Sequence, residues 1–277
     1  MNPYIALTRP GNMVLTAIAV VAGAFIAAGT NVSDFQMEIL ICCFCSMMLV
    51  GGGNALNDYN DRETDKENHP ERPIPSGKVS ADSAYTYAQS LLGLGLLILL
   101  LALENKMPFV VALIGVLLLI AYENGLKAAG IAGNVAVGLM SGAVFLFAGM
   151  AVNDPGPTLW MFGLAVLATI TREIVKDIQD LEGDTDRRTL PSRIGIGYSL
   201  NLAILILLIA VGLSYTAMGQ FEKMAWNAYV GGITLANATM LFGIYNAKQE
   251  DYFMGQKNIK QGMGIAMLAF IAAAGLS

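Results

Sequence analysis

The sequence predicts an all-α protein: an integral membrane bundle of nine transmembrane helices, one domain over residues 1–277, with a central cavity opening to the cytoplasmic side. Three observations lead there. Apolar stretches of about 17–22 residues, the length needed to cross a bilayer, recur from end to end. Only 13% of residues are charged and 55% are hydrophobic, with a mean hydropathy of +0.58, whereas soluble domains run near about 25% charged. The basic residues fall almost entirely on one side once the stretches are threaded alternately through a membrane.

The first stretch, 13–30, follows a short polar segment, Met1–Gly11, and has no small-residue cleavage site after it, so no removable leader is expected. The second, 36–57, holds Cys42, Cys43, Cys45 and the run Gly51-Gly52-Gly53. The cysteines lack zinc-site spacing and read as polarisable packing residues. The glycines read as small packing residues of membrane helices, with the triple run a place where the helix could bend. Stretches 82–103 and 108–122 complete a first group of four. Next come 131–152, 157–178, 197–217, 226–246 and 259–276. Two links are long, 58–81 and 179–196, and each holds a basic, proline-containing loop: Arg72-Pro73-Ile-Pro75-Ser76-Gly77 and Arg187-Arg188-Thr189-Leu-Pro191.

Alternate threading puts the N-terminus and the links after spans two, four, six and eight on one face. That face carries 14 of the 16 Lys and Arg residues; only Lys106 and Lys223 fall on the other. By the positive-inside rule the crowded face is cytoplasmic.

Two aspartate triplets share that face. Asp58, Asp61 and Asp65 follow span two, and Asp177, Asp180 and Asp184 follow span six, 119 residues on. Steps of three and four residues put each triplet on one face of a helix, where like charges repel by roughly 0.2–0.5 kcal/mol per pair. The repeat reads as two similar halves of four helices plus a ninth, bringing the triplets face to face. Six aspartates at mid-membrane would cost on the order of 15–20 kcal/mol, so they belong in a wet cavity near the surface. Oxygen-only ligands in that number suit a hard divalent ion, Mg²⁺ above all, which usually arrives with substrate phosphates. Arg72, Lys78, Lys127, Arg172, Lys176, Arg187 and Arg188 lie nearby and could help neutralise a diphosphate. Metal-assisted loss of diphosphate suits an allylic prenyl diphosphate, whose tail needs an apolar groove. Tyr59, Tyr122, Phe145 and Phe147 are aromatic faces that could shelter a carbocation. The only histidine, His69, sits in a polar loop, so a His-dependent triad is not expected.

Asn57-Asp58-x-x-Asp61-x-x-x-Asp65, the Arg72–Gly77 loop, Tyr122-x4-Lys127 and Asp177-x-x-Asp180-x-x-x-Asp184 resemble the UbiA superfamily of intramembrane prenyltransferases, in motif order and over nearly the whole chain. Thr8-Arg9-Pro10-Gly11-Asn12, Gly53–Tyr59, Gly130-Ile-Ala-Gly133-Asn134 and Arg172–Asp184 are similar to the archaeal digeranylgeranylglyceryl phosphate synthases. The resemblance implies nine transmembrane helices, Mg²⁺ as cofactor, and transfer of geranylgeranyl from its diphosphate to the free hydroxyl of geranylgeranylglyceryl phosphate, a lipid-phosphate acceptor met among membrane lipids. It implies that Asn57, Asp61 and Asp65 bind one Mg²⁺ and that Asp180 and Asp184 bind the other, with Asp58 and Asp177 on the same faces. Asp61, Asp65, Asp180 and Asp184 would carry catalysis. Arg72, Lys127 and Arg188 would contact phosphate, Arg9 and Asn12 would line the entrance, and Asn54, Tyr122 and Lys176 would join the substrate-binding residues. Where relatives often have glycine or lysine, this chain reads Thr185-Asp186-Arg187-Arg188-Thr189.

Two alternatives stay open on the residues alone. A sister enzyme with an aromatic acceptor, such as 4-hydroxybenzoate or a quinone precursor, would share the donor site. A divalent-cation channel or transporter would also place acids at helix ends, but the spans hold few acids to form a path across. The Asp-Gly-x-x-Ala-Arg stretch of CDP-alcohol phosphotransferases is absent. No nucleic-acid partner is expected.

Overall fold

The computed structural model describes residues 1–181, 189–217 and 223–276. Its helices are α1 (Pro3–Thr8), α2 (Pro10–Ala28), α3 (Gln36–Asn60), α4 (Arg62–Asn68), α5 (Ala81–Ala102), α6 (Met107–Glu123), α7 (Ile131–Ala151), α8 (Gly156–Gln179), α9 (Leu190–Ile194), α10 (Ile196–Thr216), α11 (Lys223–Lys248) and α12 (Tyr252–Ala274). Among the described residues no strand occurs, and nine helices run 17 residues or longer, one over each apolar stretch of the sequence. Six segments are long and apolar enough to cross a membrane by length and composition: Pro10–Asn60, which holds both α2 and α3, Ala81–Ala102, Ile131–Ala151, Gly156–Gln179, Ile196–Thr216 and Ala225–Lys248. Met107–Glu123 is shorter but apolar.

Local chemistry sets the helix boundaries. Pro10 opens α2, a position where its missing N–H costs nothing. Arg9 joins α1 to α2 in the left-handed region, at φ 50°, which is uncommon for a residue with a Cβ. Ser80 caps α5 through its hydroxyl, accepting from the Ser83 N–H at 3.2 Å. Asp251 caps α12 by accepting from the Met254 N–H at 3.0 Å. That cap starts α12 at Tyr252, seven residues before the apolar stretch 259–276, so Gln256 and Lys257 belong to the helix.

The packing follows the two-half pattern. In the first half α3 packs on α2 and α5; in the second, α8 packs on α7 and α10 in the same way. The halves meet where α7 lies against α2 and α6, and α12 closes the bundle against α11, α8 and α2. Small residues permit these approaches. A Cβ on Gly52 of α3 would stand 2.9 Å from Leu92 Cγ, and one on Gly142 of α7 would stand 2.8 Å from the Phe162 carbonyl oxygen. α3 continues as helix through Gly51–Gly53, so this run serves close packing. Cys42 and Cys45 are fully buried in a cluster with Val20, Leu99, Ala112 and Phe147.

Candidate active site

The aspartate triplets do not each ride one continuous helix. α3 ends at Asn60 with Asp61 as its C-terminal cap, and Asp65 belongs to α4. α8 ends at Gln179 with Asp180 as its cap. The reason is electrostatic: a helix C-terminus carries the negative end of the macrodipole, and carboxylates spaced at three and four residues repel one another. Such ends persist only where positive groups come to them.

Around the first triplet they do. Lys127 Nζ donates to both carboxylate oxygens of Asp61 at 2.6 Å. Arg72 Nη1 donates to Asp65 Oδ2 at 2.6 Å and lies 3.6 Å from Asp58 Oδ1. Arg9 Nη2 donates to Asp58 Oδ1 at 2.5 Å. The proline loop explains how Arg72 arrives. It folds on itself through Arg72 N–H to the His69 carbonyl, Ser76 N–H to the Arg72 carbonyl and Val79 N–H to the Pro73 carbonyl, at 3.0, 3.0 and 3.1 Å. Asn57 Nδ2 donates to Glu123 Oε1 at 2.9 Å, and Asn54 Nδ2 to the Thr8 carbonyl at 2.9 Å.

A cavity of about 1090 Å³ opens beside these groups. Arg9, Asn54, Asn57, Asp61, Asp65, Arg72, Tyr122, Lys127, Lys176 and Asp180 all line it, so residues of both triplets face one space. Asp58 and Asp177 do not line it. Asp58 is 3% exposed behind Arg9 and Arg72. Asp177 is half-buried and accepts from Asn134 Nδ2 of α7 at 3.0 Å. Asn12 is exposed in the first turn of α2, outside the lining. Asp184 and Arg188 lie outside the described residues. The deeper wall is apolar, with Leu49, Val50, Val111, Val116, Leu119, Val137, Met140, Val144 and Phe147.

Sequence reasoning missed Glu123 and Glu173, which also line the cavity. Glu123 has a side chain only 3% exposed and sits 3.7 Å from Nζ of Lys127, four residues after it. Its position next to Tyr122 at the end of an apolar run was the available signal. Among the described residues, no three His, Cys, Asp or Glu side chains converge as a metal cage. The donor chemistry still fits Mg²⁺. Asp61, Asp65, Asp180 and the Asn57 amide offer only oxygen to the cavity, and Mg²⁺ is usually held by one or two carboxylates together with substrate phosphates.

The model of the UbiA prenyltransferase family matches residues 16–273. The chain is 37% identical over 268 residues to a digeranylgeranylglyceryl phosphate synthase of Methanothrix thermoacetophila, covering 96% of each chain. A solved structure described as giving structural and mechanistic insights into digeranylgeranylglyceryl phosphate synthase in membranes superposes with a TM-score of 0.85 at 30% identity, covering 99% of this chain and 98% of that one. A UbiA homologue from Archaeoglobus fulgidus, solved bound to DMAPP and Mg²⁺, shares the fold at a TM-score of 0.70 and 15% identity, covering 99% of both chains. The chain belongs to the UbiA prenyltransferase family and is a multi-pass membrane prenyltransferase.

Proposed function

We propose that this enzyme transfers geranylgeranyl from geranylgeranyl diphosphate to the free hydroxyl of geranylgeranylglyceryl phosphate, forming the second ether bond of archaeal membrane lipids. The observation that carries the reading is the single cavity, with acids from both triplets at one end and an apolar wall beyond. The Methanothrix relative is named for this activity.

In this reading Asn57, Asp61 and Asp65 would hold one Mg²⁺, and Asp180 with Asp184 would hold the second. When bound, Mg²⁺ neutralises the diphosphate as it leaves. Lys127 and Arg72, now held on Asp61 and Asp65, present N–H donors to the phosphate oxygens, with Arg188 as a third cation. Asp58 and Asp177 act from behind: Asp58 aims Arg9 and Arg72, and Asp177 ties α8 to Asn134. The apolar wall takes the prenyl tail and excludes water from the reacting carbon. The acceptor hydroxyl oxygen bonds to C1 of the donor, the C1–O bond to diphosphate breaks, and the hydroxyl proton is released. All nine long helices cross the membrane, and the cavity mouth faces the cytoplasm; the support is the 14 basic residues of 16 on that side.

The test offers radiolabelled geranylgeranyl diphosphate and Mg²⁺ to the purified protein with a panel of acceptors. Labelled digeranylgeranylglyceryl phosphate is the expected product. Label in 4-hydroxybenzoate instead, or in no acceptor, contradicts the proposal.

A further inference from the structure

Glu123 stands where a carboxylate is disfavoured twice over. It ends α6, in which it is the only charged residue, and a helix C-terminus carries the negative end of the macrodipole. Its side chain is 3% exposed, so it has also lost most of its hydration. Three groups hold it there. Asn57 Nδ2 donates to its Oε1 at 2.9 Å, Asn60 Nδ2 donates to its Oε2 at 3.3 Å, and Lys127 Nζ lies 3.7 Å from that second oxygen. Asn57 and Asn60 are three residues apart at the end of α3, so both face α6. Glu123 therefore joins the ends of α3 and α6 beside the cavity that it lines together with Asn57, Asp61 and Lys127.

The consequence falls on Asn57. An asparagine amide has an accepting end, Oδ1, and a donating end, Nδ2, whereas a carboxylate only accepts. Glu123 can therefore take only the Nδ2 end, and this hydrogen bond fixes which way the amide is turned. Oδ1 is left on the side away from Glu123, on a residue that lines the cavity. Oxygen is the end that suits Mg²⁺. We infer that Glu123 is a positioning residue for the metal site: it holds Asn57 Nδ2 so that Oδ1 is presented to Mg²⁺. This rests on the prenyl-transfer reading above and adds to it the group that orients one of the ligands. It also accounts for an amide at position 57 among carboxylates, since an aspartate there would bring two like charges together across the 2.9 Å contact.

The experiment measures binding of an unreactive geranylgeranyl thiolodiphosphate to the purified full-length protein over a range of Mg²⁺ concentrations, and reads the Mg²⁺ needed for half-maximal binding. Glu123→Met keeps the side chain's length but offers only a weak acceptor. It should raise the Mg²⁺ requirement at least roughly tenfold, the loss usual when a group that orients a metal ligand is removed. Glu123→Ala replaces it should Glu123→Met not fold. Glu123→Gln still accepts from Asn57 through its amide oxygen, so its requirement should stay within about threefold of wild type. Added to Asn57→Ala, which has no amide to orient, Glu123→Met should change the requirement by less than about threefold further, because the two act as one unit. Glu123→Gln as impaired as Glu123→Met makes the acid itself a ligand and overturns the inference. So does a Glu123→Met protein with the wild-type requirement, or one whose full effect persists on Asn57→Ala. Each of these leaves the transferase reading standing, whereas a wild type that fails to bind the analogue with Mg²⁺ overturns both.

Discussion

Replacing Asp58 with asparagine separates the frame of the site from its lining. Asp58 accepts from Arg9 at 2.5 Å and lies 3.6 Å from Arg72, and its side chain is 5% exposed. Removing one partner of a fully buried ion pair costs about 3–5 kcal/mol. Here two effects lower the figure. The Arg9 side chain is 36% exposed, so water takes up much of its charge, as in surface pairs worth about 0–1 kcal/mol. The asparagine oxygen also still accepts a hydrogen bond, worth about 1 kcal/mol. The expected loss is therefore about 1–2 kcal/mol, or a fall in Tm of about 2–8 °C for a chain near this size. Thermal unfolding in detergent, followed by tryptophan fluorescence, measures it. Because Asp58 does not line the cavity, the Mg²⁺ concentration giving half-maximal transfer should stay within about twofold of wild type, less than 1 kcal/mol. An unchanged Tm, or a Mg²⁺ requirement raised as far as in Asp61→Asn, refutes the reasoning.

Lys127→Met removes the cation held 2.6 Å from Asp61; losing a charged hydrogen bond of about 1.5–3 kcal/mol should raise KM for the donor roughly 10–100-fold, and steady-state kinetics with varied donor checks this. Gly142→Ala puts a Cβ 2.8 Å from the Phe162 carbonyl oxygen, so α7 must separate from α8, and unfolding measurements should show a loss of about 1–3 kcal/mol. Asn134→Leu removes the donor 3.0 Å from Asp177; with that carboxylate half-buried the loss should be about 1–2 kcal/mol, read as a lower Tm with the protein still membrane-inserted.

Hydropathy carried the architecture, because a helix in lipid must be apolar along its length. α2, α3, α5, α6, α7, α8, α10 and α11 sit where the apolar stretches predicted them. The short helices α1, α4 and α9 have 5–7 residues, too few to show a period. α12 begins early because a polar first turn, capped by Asp251, is invisible to an apolar window. The aspartate spacing identified both site segments, yet spacing treats the three acids of a triplet alike. The structure divides them. Asp61, Asp65 and Asp180 line the cavity, while Asp58 and Asp177 turn to Arg9 and Asn134. That division depends on Arg9, between α1 and α2, and on Asn134 of α7, which lie 49 and 43 residues away in sequence. The left-handed backbone of Arg9 and the burial of Glu123 are tertiary in the same sense.

In the proposed mechanism, acids from the ends of α3 and α8 together bind Mg²⁺ and the donor diphosphate in one cavity. Equilibrium binding of an unreactive geranylgeranyl thiolodiphosphate, titrated calorimetrically with and without Mg²⁺, tests it most directly. The wild type is expected to bind only with Mg²⁺, and both Asp61→Asn and Asp180→Asn to bind at least roughly tenfold more weakly, about 1.4 kcal/mol. Binding that ignores Mg²⁺, or that survives unchanged in both variants, contradicts it.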